Sequence, residues 1–172
     1  MMVGFMAAAL LGLSVAQVAV EAPDQSPHMD LSVGVFASTP ERFVFCAGFS
    51  PLRAFEFDVC VGAHRGLAAA TSHVYYRAHW FFHVGEGDAS LEFALGPGAG
   101  LRVMGVCPFS VCAVGAGPEA LASMEATYWF SPAFGLSLQA DAGLAVVWAG
   151  DSAGGLQHSF RFPARLLVGA SF

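Results

Sequence analysis

The stretch FVFCAGFSPLRAFEFDVCVGAH, residues 43–64, carries the pattern that decides the fold. Phe43, Phe45, Ala47 and Phe49 share one parity, while Val44, Cys46 and Gly48 share the other. Beyond a turn at residues 50–54, Phe55, Phe57, Val59 and Val61 fall on one side, and Glu56, Asp58, Cys60, Gly62 and His64 on the other. Successive side chains of an extended chain point to opposite faces, so this alternation reads as two strands joined by a turn. Pro51 suits the turn because its φ is preset. The hairpin has one oily face and one face of small and charged residues.

The same alternation recurs to residue 172, and the charges keep to one parity. Tyr75, Arg77, His79, Phe81 and His83 oppose Val74, Tyr76, Ala78, Trp80 and Phe82. Glu92 and Arg102 oppose Leu91, Phe93, Leu95, Leu101 and Val103; Glu125 and Thr127 oppose Met124, Ala126, Tyr128 and Phe130. Ser137, Gln139 and Asp141 oppose Leu136, Leu138, Ala140 and Ala142, and Arg161 and Arg165 oppose Phe160, Phe162, Leu166 and Val168. With MDLSVGVFAS as the first, eight strands are expected, near 30–38, 41–49, 55–65, 73–84, 89–104, 121–131, 134–148 and 160–172. Pro97 falls inside one of them and should force a bulge or kink, since it donates nothing to a ladder.

Composition says which face is inside. Apolar types make up 56% of the 172 residues and charged types 12%, against roughly 25% charged in an ordinary globular protein. Mean hydropathy is +0.61. Past the N-terminal segment no run is long and unbroken enough for a spanning helix, which leaves a closed barrel as the way to cross a bilayer. The polar face is also the glycine-bearing one, with Gly34, Gly48, Gly62, Gly96, Gly98, Gly100, Gly143 and Gly169. Small residues are needed where a narrow eight-stranded barrel must hold Arg and Glu side chains within it, so the polar face is read as the lumen. The expected fold is an all-β, eight-stranded antiparallel up-and-down transmembrane barrel over residues 29–172.

Connections and termini fit that reading. Links at 50–54, 85–88 and 131–133 are short and share a side with both termini; those at 66–72, 105–120 and 149–159 are longer and lie opposite, with a short link near Thr39–Pro40. Short turns inside and longer loops outside are the outer-membrane pattern. Aromatics at 49, 55, 82, 130, 134 and 172 are expected at the inner boundary, and Tyr76, Trp148 and Phe160 nearer the outer one. Val3–Val15 has the length of a signal h-region, and Ser14-Val15-Ala16 offers a cleavage site, so residues 1–16, extending to about 22, are expected to be a secretory signal, although no basic residue precedes them. The seven basic residues are all Arg and the net charge is −6, which excludes a basic nucleic-acid surface.

The expected lumen network is Asp30, Glu56, Asp58, Arg77, His79, His83, Glu92, Arg102, Glu125, Asp141, Arg161 and Arg165, in which opposite signs must interleave as hydrogen-bonded pairs. It reads first as a structural plug, and second as a narrow path in which pairs open as a gate. Cys46 and Cys60 share a face of adjacent strands, and Cys107 and Cys112 share the longest loop; an even count in an exported protein favours disulfides at both places. Zinc on Cys107 and Cys112, with His158, is the alternative for the loop pair, and no metal or cofactor is expected on balance. LGPGAG at 95–100 lacks the Lys, the Ser/Thr and the following helix of a phosphate loop.

At this point the chain resembles the small eight-stranded outer-membrane barrels of diderm bacteria, the group that includes the OmpA transmembrane domain and the OmpX-like and OmpW-like proteins. The resemblance rests on strand pattern, loop asymmetry and Phe172, and covers about residues 29–172. It implies an outer-membrane location in contact with its lipid, and a C-terminal strand, Leu166, Val168, Ala170 and Phe172, read by the barrel-insertion machinery. It implies a small surface barrel whose outer loops meet a host or surface ligand, or alternatively an OmpW-like narrow channel for small or apolar solutes. A lipid-modifying enzyme comes third. The lipid A deacylases of this shape use His and Ser with Glu, whereas His158 and Ser159 are adjacent and so point to opposite faces, and no catalytic residue is expected.

Overall fold

The computed structural model describes residues 27–36, 42–64, 67–84, 89–106, 113–150 and 156–172. Ten strand segments follow one another: β1 (His28–Phe36), β2 (Phe43–Leu52), β3 (Phe55–His64), β4 (Leu67–Tyr76), β5 (Ala78–His83), β6 (Ser90–Val106), β7 (Ala113–Ser131), β8 (Phe134–Gly150), β9 (Leu156–Arg161) and β10 (Ala164–Ser171). β4 and β5 are the two halves of one barrel strand, because both pair with β6; β9 and β10 likewise both pair with β8. Eight antiparallel strands therefore form the wall. β10 pairs with β1 from Asp30–Ser171 to Phe36–Arg165, and this pairing closes the barrel. Reciprocal backbone bonds of 2.8 and 2.9 Å between Met29 and Phe172 extend the seam to the inner rim.

The closure is staggered. From His28 at the start of β1, partners run through Ser50, then from Glu56 to Tyr75, Gly98, Leu121 and Gly143, whose amide bonds the Pro163 carbonyl at 2.9 Å. β10 resumes one residue later and meets β1 at its far end, Arg165 against Phe36. Tilted strands in a closed barrel require such a shear.

Prolines decide where the ladder breaks. β6 runs unbroken through Pro97, which pairs with Ala122, and the expected bulge is absent from that strand. The interruption lies in the neighbouring strand instead: pairing to β6 lapses between Tyr75–Gly98 and Ala78–Leu95, opposite Pro97. A residue without an N–H leaves its neighbour's carbonyl unserved, so the partner strand yields there. Arg77, at the break, bonds its amide to the Ala54 carbonyl at 3.0 Å. Pro118 acts similarly in β7, where pairing to β8 skips from Ala116–Trp148 to Glu119–Ala145.

Strand limits differ from expectation on the outer side. β4 begins at Leu67, β6 ends at Val106, β7 begins at Ala113, and β8 and β9 reach Gly150 and Leu156. The long links expected at 66–72, 105–120 and 149–159 are thus mostly strand. Runs such as LAAATSH and VGAGPEALA contain small residues whose alternation is faint in hydropathy yet whose backbones pair normally. Tyr76 is corrected as well: it stands opposite Phe55, their rings 5.2 Å apart, at the inner end and not the outer.

Burial follows parity with the sign reversed from a soluble barrel. Phe43, Phe57, Val59, Leu101, Leu138 and Val168 are exposed, while Asp58, Arg77, Arg102, Glu119, Asp141 and Arg165 are buried. Val44, Cys46, Cys60 and Leu167 form one buried apolar cluster, and Ala69, Met104 and Val147 another, nearer the outer ends.

Candidate functional site

Inward positions on six strand segments meet in one hydrogen-bonded chain across the lumen. Its centre is Arg165 on β10, which is placed opposite Asp141 of β8 by register. Its Nε donates to Asp141 Oδ2 at 2.5 Å, its Nη2 to Asp58 Oδ2 at 2.9 Å and to the Tyr75 hydroxyl, and its Nη1 lies 2.9 Å from Cys60 Sγ. The Tyr75 hydroxyl in turn donates to Asp58 at 3.3 Å. Asp58 also pairs with His73 Nδ1 at 2.8 Å, and the other His73 nitrogen faces Glu119 at 3.7 Å. Glu119 takes two bonds from Arg102, 2.6 Å from Nε and 3.1 Å from Nη2, a fork that fits a carboxylate closely.

A second node lies toward the inner end. Arg77 Nη1 bridges Glu56 and Glu125, and its Nη2 donates to Ser123 Oγ at 2.9 Å. The guanidinium also covers the Tyr75 ring at 4.4 Å. Gln139 joins the nodes, donating to Asp141 at 3.0 and 3.1 Å and approaching Ser123 at 3.5 Å. Below, Glu92 binds His79 Nδ1 at 2.6 Å and Trp129 Nε1 at 2.7 Å, and Thr127 donates to Glu125 at 2.9 Å. Asp30 faces His28 at 3.4 Å.

Of the twelve residues expected in the lumen, ten line or fill it: Asp30, Glu56, Asp58, Arg77, His79, Glu92, Arg102, Glu125, Asp141 and Arg165. Two are corrections. His83 and Arg161 are exposed, because β5 ends at the inner rim and β9 stands at the outer rim, paired only with β8. Sequence reading missed Glu119, His73, Ser123 and Trp129. Each continues a parity already recognised, Glu119 with Glu125 and His73 with Arg77; Glu119 lay beyond the expected start of its strand at 121, whereas His73, Ser123 and Trp129 lay within the expected strands and were not counted.

Cys46 and Cys60 are directly opposite on β2 and β3, with Cα atoms 4.0 Å apart, and are disulfide-bonded inside the lumen. Cys107 and Cys112 lie outside the described residues, as do residues 1–26. Among the described residues, Cys46, Asp58 and Cys60 converge within 4.8 Å. Both sulfurs are spent on each other and Arg165 occupies the space beside them, so this trio does not suit a cation. His158 is exposed on β9 with its ring 5.9 Å from Phe160.

The space left at the inner end, bounded by His28, Glu56, Arg77, His79, Glu92 and Trp129, is about 20 Å³. A water molecule needs about 10–15 Å³ on that measure, so it holds about one. Arg53 closes over the same mouth, its guanidinium 4.0 Å from the Phe81 ring.

Fold and interior together define the class: a closed eight-stranded antiparallel barrel with an apolar exterior and an interior filled by paired charges. No protein-family model matches the chain, and no curated protein matches it in sequence. Among solved structures the chain is similar to a major outer membrane protein from Thermus thermophilus, at 9% identity over 86% of this chain and 98% of that one, with a TM-score of 0.43. It is also similar to Neisserial surface protein A, at 13% identity over 84% and 94%, TM-score 0.43, and to the N-terminal β-barrel domain of Pseudomonas aeruginosa OprF, at 12% identity over 84% and 97%, TM-score 0.43.

Proposed function

We propose that this chain is an outer-membrane barrel that anchors its outer segments at the cell surface for interaction, its own lumen being a structural plug and not a path. The observation that carries the reading is the inversion of burial: ionised side chains lie inside and large apolar ones outside, an arrangement stable only with hydrocarbon around the wall. In water the exposed band, from Phe43 and Val59 to Leu138 and Val168, would far exceed the apolar patch a soluble monomer tolerates. Support for the plug comes from Arg77, Arg102 and Arg165, each held by carboxylates on other strands so that side chains bridge the lumen.

Planar-bilayer recording tests the plug. The reading expects no steady current from the purified, folded chain; a reproducible single-channel conductance would overturn it and favour a narrow channel. Detergent dependence and heat-modifiable gel migration test the membrane assignment separately.

A further inference from the structure

Both ring nitrogens of His73 face carboxylates deep in the lumen. Nδ1 lies 2.8 Å from Asp58 Oδ1 on β3, and Nε2 lies 3.7 Å from Glu119 Oε1 on β7. The side chain is wholly buried, and the Nε2 contact is too long for a hydrogen bond though within the reach of an ion pair. Register sets His73 opposite Gly100 of β6, where a methyl group would come 2.6 Å from the ring atom Cδ2, so a bare backbone gives the ring its place. On the same strand the Tyr75 ring is 5.8 Å away. Arg165 of β10 and Arg102 of β6 bond Asp58 and Glu119 in turn.

A neutral imidazole has one N–H and one lone pair. With the proton on Nδ1, the Nε2 lone pair faces Glu119; with the proton on Nε2, the Nδ1 lone pair faces Asp58. Only the doubly protonated ring presents a donor to both. The charges around it balance on the same condition. Among the described residues this deep cluster holds three carboxylates, Asp58, Glu119 and Asp141, and two guanidiniums, Arg102 and Arg165, all at most 4% exposed, which leaves one negative charge over. A buried charge without compensation is costly. One proton on His73 cancels it, and the series Arg165, Asp58, His73, Glu119, Arg102 then alternates in sign from end to end. A metal ion does not serve instead. Among the described residues, three possible ligands converge only at Cys46, Asp58 and Cys60, where both sulfurs are spent on each other.

We propose that His73 is a proton-operated clasp: with two protons it ties the Asp58–Arg165 node to the Glu119–Arg102 pair, and loss of one proton to bulk water releases that tie. The proposal rests on the plugged-lumen reading above and adds a condition to it. Its sign follows from linkage. The folded barrel holds at His73 a proton that the unfolded chain gives up as pH rises, so the clasp stabilises the barrel in acid and ceases to do so in alkali.

Nitrogen NMR of the full chain in detergent micelles, with nitrogen-15 in its imidazole rings, tests it in a titration over about pH 5 to 9, which spans the range where imidazoles change charge. The His73 signal is identified by its contact with the Tyr75 ring and by its absence in His73→Gln. It should show two protonated nitrogens at the acid end and one at the alkaline end. Urea titration of the vesicle-inserted protein supplies the second readout. Over the interval in which His73 titrates, the unfolding constant should grow, for each pH unit, about tenfold more in the wild type than in His73→Gln, the effect of one proton; His73→Asn serves should the first variant fail to fold. A ring already neutral at the acid end, or still doubly protonated at the alkaline end, would overturn the proposal, as would equal pH slopes in the two proteins. Steady bilayer current from a barrel whose His73 titrates as described would overturn the plug alone and leave the clasp standing.

Discussion

Replacing Arg102 by Met should be among the most damaging single changes in the barrel. Arg102 is 1% exposed and Glu119 3%, and the two share bonds of 2.6 and 3.1 Å. Met keeps the length of the side chain while removing the charge, so packing is largely retained and Glu119 is left as a buried carboxylate that, among the described residues, faces His73 at 3.7 Å. Breaking one partner of a buried pair costs about 3–5 kcal/mol. With a urea slope of about 2 kcal/mol per molar, the unfolding midpoint should fall by about 2 M. Removing both charges, in Arg102→Met with Glu119→Leu, should recover most of that loss, because an apolar pair avoids the desolvation penalty. Urea titration of the vesicle-inserted protein reads both, followed by tryptophan fluorescence, to which Trp129, buried against Glu92, contributes with Trp80 and Trp148. A loss below about 1 kcal/mol for the single change, the range of an exposed pair, would refute the buried-pair account. So would a double variant as unstable as the single one.

Three further outcomes follow from the same geometry. Val59→Arg, at an outward position that is 58% exposed and midway along β3, should destabilise the inserted barrel by about 2–4 kcal/mol; a change within about 0.5 kcal/mol, normal for a soluble surface, would count against lipid contact there. With Cys107 and Cys112 replaced by Ser, Cys46 and Cys60 should resist alkylation in denaturant until reductant is added, and reduction should lower stability by about 3 kcal/mol for a loop of this length; immediate labelling would contradict the bond. Gly143→Ala should lower the urea midpoint, because a methyl there meets the Ala120 carbonyl and the Leu121 backbone; unchanged stability would show that β7 and β8 are farther apart than this register requires.

Much of the architecture was legible in hydropathy because lipid and lumen impose opposite demands on alternate residues. In β8, Ser137, Gln139 and Asp141 against Leu136, Leu138 and Ala140 leave no other reading, and the structure buries the first set while Leu136 and Leu138 are exposed and Ala140 is half-buried. Legibility failed where the two demands converge on the same small residues. Ala68 to Ala70 and Gly115 to Gly117 have side chains too small to show a polarity, so β4 and β7 were expected to start late, and Glu119 fell outside its expected strand. Pro97 marked a real disturbance but not its location, since a missing N–H is felt by the strand across from it. Partner choice was beyond the sequence for another reason. Which carboxylate meets Arg165 depends on shear, and shear is set by the whole circuit of register, not by any one strand.

The most direct test of the central claim is a nitroxide scan along residues 136–144 of β8 in lipid vesicles, reading collision rates with oxygen and with a water-soluble nickel complex. The account predicts a period of two: labels at 136, 138, 140, 142 and 144 accessible to oxygen and shielded from nickel, those at 137, 139, 141 and 143 shielded from both. Nickel access at the even positions, or no alternation, would contradict a barrel with hydrocarbon outside and paired charges within.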